Sequence, residues 1–196
     1  RDGQKQAMVV ADYAMLYNAD KQPTIELSFL TKLPFVAEGD KWITVATPTG
    51  EGWLRREDVR IVEANRPIEL DGNRGEAIVA NGKRFLNLHY LWGGMSSFGY
   101  DCSGFAYNMH RSVGLVIPRD AKDQAESGQR IEKDDLLPGD LLFFAFEEGK
   151  GKVHHVGIYI GNGEMIHSPD SESAIEIVKL DGYKLEKEHC VSRRYW

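Results

Sequence analysis

The stretch YLWGGMSSFGYDCSG, residues 90–104, is the most informative part of this sequence. It places Cys102 at the expected start of a helix, directly after a glycine-rich, aromatic, turn-forming segment. The N-terminus of a helix carries unpaired N–H groups and about half a positive charge, and both favour the thiolate, which is the nucleophilic form of cysteine. Since free cysteines are more often small buried apolar residues, Cys102 taken alone is either a nucleophile or a core residue.

Helices are expected before and after this stretch, and strands follow them. The apolar spacing becomes helical from Arg74, a helix that starts at Asp101 or Cys102 ends at Gly114, and Asp120 caps a short third helix. Strand-like runs come next, at residues 141–146, 153–160, 164–167, 175–180 and 190–195. The unbroken apolar run at 141–146 is typical of a strand buried on both faces. This order predicts an α+β fold in which helices pack on an antiparallel sheet.

The first third of the chain has a different pattern. Short β-like runs are separated by turn residues, at 8–11, 26–30, 42–46, 52–54 and 59–62. They predict a small all-β barrel. The turn dipeptide Asp71-Gly72 lies in a polar stretch that predicts a linker. We therefore expect a barrel at residues 1–64, a linker at 65–73 and a second domain at 74–196.

The composition argues against several classes of function. The 196 residues are 42% hydrophobic and 10% aromatic, as in ordinary globular proteins. A formal net charge of -6 without a basic stripe argues against a nucleic-acid partner. No apolar run approaches the roughly 18 residues that a transmembrane helix needs. The chain begins with Arg1, as expected if a leader has been removed or an upstream domain is missing.

Several histidines could serve a cysteine nucleophile, which needs a base within hydrogen-bond reach and a third group to orient that base. Because neighbouring strand residues point to opposite faces, only one of His154 and His155 can face the helix that carries Cys102. If the strands on either side of the turn at 161–163 pair as a hairpin, His155 and His167 approach each other. Each histidine alone could instead be structural.

A zinc site is the other alternative for one cysteine and several histidines, although their spacing matches no zinc finger, zinc ribbon or His-Glu-x-x-His motif. The two cysteines could also pair with each other. Because a catalytic Cys102 must stay free, we predict no disulfide and interpret Cys190 as a buried filler.

Six short motifs resemble, in order and spacing, those of the NlpC family of papain-like cysteine peptidases, which cut bacterial cell-wall peptides. They are YLWGG at 90–94, DCSG at 101–104, PRD at 118–120, PGDLLFF at 138–144, HVGIYIG at 155–161 and MIH at 165–167. The resemblance covers residues 74–196 and implies a papain-like catalytic domain. The region before it resembles the bacterial SH3-like domain, in which a pair such as Gly52-Trp53 precedes the last short strand.

The resemblance implies a catalytic trio. Cys102 would be the nucleophile, His155 the general base, and His167 the residue that orients the His155 imidazole. Tyr90 would help to stabilise the oxyanion through its hydroxyl, beside the backbone N–H of Cys102. His154, one position away from the motif, would face the other way.

Substrate contacts are implied for Asp101, Ser103 and Trp92, and no metal or cofactor is implied. Asp101 has a charge suited to a free peptide amine, but it could equally serve only as a helix cap. Trp92 with the two following glycines could equally shape a sharp turn. Simple structural roles are expected for three further residues of the motifs: Arg119 and Asp120 as an ion pair and cap, and Asp140 as a turn residue.

The implied function is hydrolysis of the γ-D-glutamyl–diamino acid amide bond through a cysteine thioester. An SH3-like domain before such a catalytic domain suggests action on peptidoglycan stem peptides with a free N-terminal L-Ala. The implied place of action is the periplasm, the cell surface or the medium rather than the cytoplasm. Three alternatives remain: a cell-wall binding module with decayed catalysis, a papain-like amidase or acyltransferase, and a zinc hydrolase.

Overall fold

The computed structural model describes residues 4–68, 70 and 72–196. The chain divides into two compact units, Arg1–Ile68 and Glu69–Trp196. Asp71 of the expected turn dipeptide, like Arg1, lies outside the described residues. The linker at 65–73 therefore stays a prediction.

The first unit is all β, as predicted. Within residues 4–68 its strands are β1 (Lys5–Val9), β2 (Tyr13–Tyr17), β3 (Pro23–Ser28), β4 (Lys32–Glu38), β5 (Trp42–Thr47), β6 (Gly50–Arg55) and β7 (Val59–Glu63). They form one sheet in the order β3-β2-β6-β5-β4-β1-β7. Alternate side chains from its strands make an apolar core around Val9, Ile43, Val45 and Leu54.

Two of these strands were not predicted. The run at β2 is apolar without alternation, so it carries no period of two. In β4, Pro34 interrupts the strand pattern in the sequence, yet it lies inside the strand opposite Gln6. The register of β4 against β5 shifts between Phe35 and Ala37, directly after this proline, and irregular pairing of this kind is where strands tolerate a missing N–H.

The second unit is α+β, as predicted. Among its described residues, the helices longer than one turn are α1 (Arg74–Lys83), α2 (Cys102–Arg111) and α3 (Ala121–Glu126). A short hairpin of β8 (Met95–Ser96) and β9 (Gly99–Tyr100) precedes α2. The remaining strands are β10 (Gln129–Ile131), β11 (Leu141–Ala145), β12 (Val153–Gly161), β13 (Glu164–His167), β14 (Glu176–Lys179) and β15 (His189–Arg194). They form an antiparallel sheet in the order β10-β15-β11-β12-β13-β14.

The sheet is covered on both faces, and all five residues of β11 at its centre are buried. On one face α1 and α2 meet the sheet where Gly82 lies next to Phe105 and Ile166. The opposite face buries a second apolar cluster, Leu142, Phe144 and Met165, beneath the segment that joins β14 to β15. The prediction of a central strand buried on both sides is confirmed.

The helix ends differ in detail from the predictions. Asn73 caps α1, accepting a hydrogen bond from the N–H of Gly75 at 2.8 Å. Gly114, with φ of 82°, follows the end of α2. Asp120 occupies the N-cap position of α3, but its side chain makes no capping hydrogen bond, so the predicted cap is wrong in that respect. Among the described residues, no helix has the length and apolar character needed to cross a membrane.

Two irregularities lie near the middle of the sheet. Opposite β11, Phe144 pairs with His155 while Ala145 pairs with Val153, so His154 is an extra residue in a β-bulge. The predicted strand at 141–146 ends at Ala145, because the next residues form a turn, Phe146–Gly149. Glu147 and Glu148 in this turn have φ of 57° and 52°.

Candidate active site

The start of α2 is held in place by its own cap and by the glycine-rich segment before it. Asp101 Oδ1 accepts a hydrogen bond from the N–H of Gly104 at 2.6 Å, and the N–H of Asp101 donates to the carbonyl oxygen of Gly94 at 3.2 Å. A Cβ atom on Gly104 would overlap that same carbonyl oxygen. Glycine is therefore required for the segment to lie against the first turn of α2, and this contact fixes the position of Cys102.

The Cys102 thiol is half-buried and lies against β12. Burial raises its pKa, and the negative charge of Asp101 adds to this effect. The backbone N–H groups of Val156, Ser103 and Cys102 itself hydrogen-bond to the sulfur and act in the opposite direction. The expectation that the helix N-terminus would favour the thiolate is therefore wrong for the resting protein, because desolvation outweighs the helix.

The two predicted histidines are in direct contact. His155 Nε2 lies 2.8 Å from His167 Nδ1, and the two rings meet edge to face with their centroids 5.0 Å apart. Both side chains are buried. The backbone N–H of Val156, the residue after His155 in β12, hydrogen-bonds to the sulfur of Cys102. The hairpin of β12 and β13 thus brings the two histidines that the sequence singled out into contact.

The environment keeps both histidines neutral. Burial lowers the pKa of His155 well below its usual value, and the neighbouring His167, His154 and Lys184 act in the same direction. Burial also lowers the pKa of His167, although the charge of Glu176 and its hydrogen bond oppose this effect. A neutral imidazole has a free lone pair, so His155 can accept a proton at neutral pH.

Two groups that the sequence analysis missed complete this chain of contacts. His167 Nε2 lies 3.2 Å from Glu176 Oε1 and 3.4 Å from the Tyr183 hydroxyl. Glu176 is directly opposite His167 in the pairing of β13 with β14. The strand that holds Glu176 was predicted, but its register against β13 was not, and only the register places this carboxylate beside the histidine.

The residues proposed for the oxyanion and the substrate have different surroundings. Tyr90 is half-buried, and burial together with the nearby Cys102 and Asp101 raises the pKa of its phenol to about 12. Its hydroxyl therefore stays protonated and can donate a hydrogen bond. Trp92 lies on the surface with 86% of its area exposed, after which Gly93 turns the chain with φ of 69°.

Asp101 and Ser103 both bind the guanidinium of Arg119, which the sequence analysis paired with Asp120. Arg119 donates to Asp101 Oδ2 at 2.5 Å and to Ser103 Oγ at 2.8 Å. Arg119 was expected to pair with Asp120, and this expectation is wrong because its guanidinium reaches the start of α2 instead. The negative charge of Asp101 is therefore already balanced by Arg119, which also contacts Ser103 directly after Cys102.

Other residues of the motifs lie outside this cluster. Asp140 is fully buried and holds Arg194 through two hydrogen bonds, at 2.7 and 2.8 Å, so it does more than form a turn. Cys102 and Cys190 are free thiols. Cys190 is half-buried rather than buried. His154 hydrogen-bonds to Glu188 at 2.6 Å and stacks on Phe146, apart from the histidine pair.

A metal centre is not indicated by the arrangement of donors. Within residues 4–68, 70 and 72–196, no three or more His, Cys, Asp or Glu side chains converge in a way that could hold a metal ion. A cysteine hydrolase needs a nucleophile, a base and a group that orients the base, and Cys102, His155 and His167 remain the predicted residues for these roles.

Known proteins resemble this chain over most of its length. Residues 87–194 match the NlpC/P60 family, and residues 9–61 match the YKFC SH3b2 domain. Over 191 residues the chain is 46% identical to a protein of Bacillus subtilis named gamma-D-glutamyl-L-lysine dipeptidyl-peptidase, covering 97% of this chain and 62% of that protein. A protein of the same name from Bacillus cereus is 39% identical, with coverage of 96% and 57%. The chain thus spans about three fifths of the length of these relatives.

Solved structures show the same fold. An NlpC/P60 family protein from Bacillus cereus superposes with a TM-score of 0.91 at 38% identity, over 98% of this chain and 63% of that one. NlpC2 from Trichomonas vaginalis has a TM-score of 0.64 at 19% identity, over 100% and 99% of the two chains, and shares the fold. Since the family match spans more than half of the sequence and contains the whole site, the chain belongs to the NlpC/P60 family.

Proposed function

We propose that this chain carries a cysteine peptidase activity that hydrolyses the γ-D-glutamyl–diamino acid amide bond of bacterial cell-wall peptides. The observation that carries the proposal is the hydrogen-bonded pair of His155 and His167, together with the free thiol of Cys102, whose sulfur accepts a hydrogen bond from the N–H of Val156 directly after His155. The names of the two Bacillus relatives, both gamma-D-glutamyl-L-lysine dipeptidyl-peptidases, support this choice of bond.

The reaction begins with a neutral thiol and a neutral imidazole. Because Nε2 of His155 is engaged by His167, Nδ1 is the nitrogen left to take the thiol proton as sulfur attacks the carbonyl carbon. His155 then gives that proton to the leaving amine, which departs as the thioester forms. Water hydrolyses the thioester with His155 again as the base, and the free thiol returns.

The negative charge that develops on the carbonyl oxygen of the scissile amide must be stabilised by fixed hydrogen-bond donors. Tyr90 offers a phenol that remains protonated, and the N–H of Cys102 at the start of α2 offers a second donor. Both groups are preorganised by the contacts of the 90–104 segment. Their role at the oxyanion is part of the proposal.

The surroundings of the thiol suit a γ-linked glutamate. A γ-linkage leaves the α-carboxylate of that residue free, and Arg119 holds a guanidinium at Asp101 and Ser103, the residues on either side of Cys102. Ser103 shares this cation, and Trp92 is available as an exposed wall for the peptide. A free N-terminal amine of L-Ala would have to compete with Arg119 for Asp101. Binding of that amine by Asp101 is therefore proposed separately from the choice of the cleaved bond.

Peptidoglycan stem peptides are accordingly the proposed substrates, and the proposed place of action is the bacterial cell wall. The match of residues 9–61 to an SH3b domain, next to a catalytic domain of the NlpC/P60 family, supports action at the cell surface or outside the cell.

The test uses L-Ala-γ-D-Glu-L-Lys and its N-acetylated form, with products identified by mass spectrometry. The wild type should release L-Lys from the free peptide, Cys102→Ala should release none, and Cys190→Ala, which removes the other free thiol, should match the wild type. Binding without cleavage by the wild type would contradict the peptidase activity. Equal rates on both peptides would contradict the requirement for a free amine.

A further inference from the structure

Two groups compete for one nitrogen of His167. Its Nε2 lies 3.2 Å from Glu176 Oε1 and 3.4 Å from the Tyr183 hydroxyl. An ionised carboxylate can only accept a hydrogen bond, whereas a phenol can donate or accept one. Whether Nε2 carries a hydrogen therefore depends on which neighbour it bonds.

The tautomer of His167 determines the tautomer of His155, and so determines whether His155 can accept the proton of the Cys102 thiol. If Glu176 accepts from Nε2–H of His167, Nδ1 of His167 is a bare acceptor, so His155 donates Nε2–H to it and keeps Nδ1 bare. If Tyr183 donates to a bare Nε2 instead, both histidines take the opposite tautomer, and His155 presents an N–H to Cys102. Only the first arrangement leaves His155 able to act as the base.

We propose that Glu176 is a positioning residue that fixes the tautomers of both His167 and His155, so that Nδ1 of His155 is free to take the proton of Cys102. This inference rests on the cysteine chemistry proposed above. Glu176 touches neither the thiol nor the place where the scissile bond must lie, and it acts through two successive hydrogen bonds.

The electrostatic surroundings favour this assignment. The titratable or charged groups that face His167 come from three directions: His155 from β12, Glu176 from β14, and Asp170, Tyr183 and Lys184 from the connecting segments. Glu176 is the group that most strongly favours a proton on His167. Burial raises the pKa of Tyr183 to about 12, so its hydroxyl keeps a proton and remains a competing donor.

The test compares three substitutions on the same hairpin region. Glu176→Leu removes the acceptor and the charge, and we expect kcat for the lysine-containing peptide to fall by about 10²-fold with little change in KM. Glu176→Gln keeps an acceptor oxygen, so most of the activity should return. The control is Glu164→Gln at the other end of β13, opposite Lys179, which should behave as the wild type.

The tautomers themselves are the decisive readout, because a merely structural residue would not change them. Nitrogen chemical shifts of the two histidines should show protonated Nε2 in the wild type and protonated Nδ1 in Glu176→Leu. Adding Tyr183→Phe to Glu176→Leu removes the competing donor and should restore part of the lost kcat. Wild-type tautomers in Glu176→Leu, or no recovery in the double variant, would overturn the proposal.

The pH profile gives an independent check, since the charge of Glu176 raises the pKa of His167. In Glu176→Gln the acidic limb of kcat/KM should therefore move to lower pH. Without any peptide, the rate at which iodoacetamide alkylates Cys102 should fall in Glu176→Leu, because His155 then no longer accepts the thiol proton. If the peptide is not cleaved but alkylation and chemical shifts respond as described, the proposed substrate fails while the role of Glu176 stands.

Discussion

His110 and the pair of His155 and His167 are all buried, yet their second ring nitrogens have different partners. His110 Nδ1 lies 2.8 Å from the carbonyl oxygen of Ala106, and its Nε2 has no hydrogen-bond partner among the described residues. In the pair, His155 Nε2 meets His167 Nδ1, and His167 Nε2 continues to Glu176. Burial lowers the pKa of all three histidines, but only the pair is joined through its ring nitrogens to a carboxylate, which can decide where its protons lie.

Removing one imidazole from each region should separate catalysis from stability, and this is the largest effect expected. His155→Gln removes the base, so kcat should fall by about 10³–10⁴-fold. His110→Gln should keep kcat within about threefold of the wild type, since it changes a group remote from the chain of contacts. Steady-state kinetics on the lysine-containing peptide measure both. A similar loss of kcat in both variants would remove the distinction between the regions.

The charged pair near His110 should matter for folding alone. Asp140 is fully buried against Arg194, so Asp140→Ala leaves an unpaired guanidinium and should lower the free energy of unfolding by about 3–5 kcal/mol. Urea denaturation measures this change. The matched control is Glu126→Ala, which breaks an exposed pair with Lys122 and should cost less than about 0.5 kcal/mol. Equal losses of unfolding free energy in the two variants would mean that burial does not determine how much an ion pair stabilises the fold.

His110 should also make stability depend on pH. Burial lowers its pKa from 6.5 to about 4, so the unfolded chain binds the proton more tightly than the folded one. Its contribution is therefore fully present above pH 6.5 and is lost as the pH falls towards 4, by about 3 kcal/mol in all. Denaturation between pH 4 and 8 should show a smaller acid-induced loss in His110→Gln than in the wild type. If the free energy of unfolding falls equally with pH in both proteins, burial of His110 is not the cause of the pH dependence.

The smallest effect is expected for a substitution of His154, which lies next to the pair of His155 and His167. His154 adjoins His155 in the sequence but hydrogen-bonds to Glu188 and stacks on Phe146. His154→Ala should lower the free energy of unfolding by about 1 kcal/mol and leave kcat within about threefold. A loss of kcat close to that of His155→Gln would show that the whole strand segment, and not one imidazole, defines the base.

The sequence was most informative where local signals decide structure. The cap at Asp101, the start of α2 at Cys102 and the turn before Glu164 follow from short-range rules, and β13 (Glu164–His167) has the predicted bounds. The hairpin that joins His155 to His167 follows from that turn, so the main elements of the site were predictable.

Long-range partners were not predictable from local pattern. Arg119 reaches Asp101 across 18 positions, and Glu176 meets His167 only because of the register between two strands. The pKa of Cys102 was misjudged for a related reason, since the helix is visible in the sequence but the depth of burial is not. Each of these features depends on tertiary packing, which a single sequence does not specify residue by residue.

The bulge at His154 also limits how this strand can change during evolution. Side chains alternate along a strand, so the insertion or loss of one residue exchanges the two faces of everything beyond it. Because His154 is already the unpaired extra residue opposite β11, its deletion would restore regular pairing. The side chain of either Val153 or His155 would then point to the other face of the sheet. We therefore expect homologues to vary the identity of this residue freely while keeping its place, so that strand length is more constrained here than side-chain chemistry.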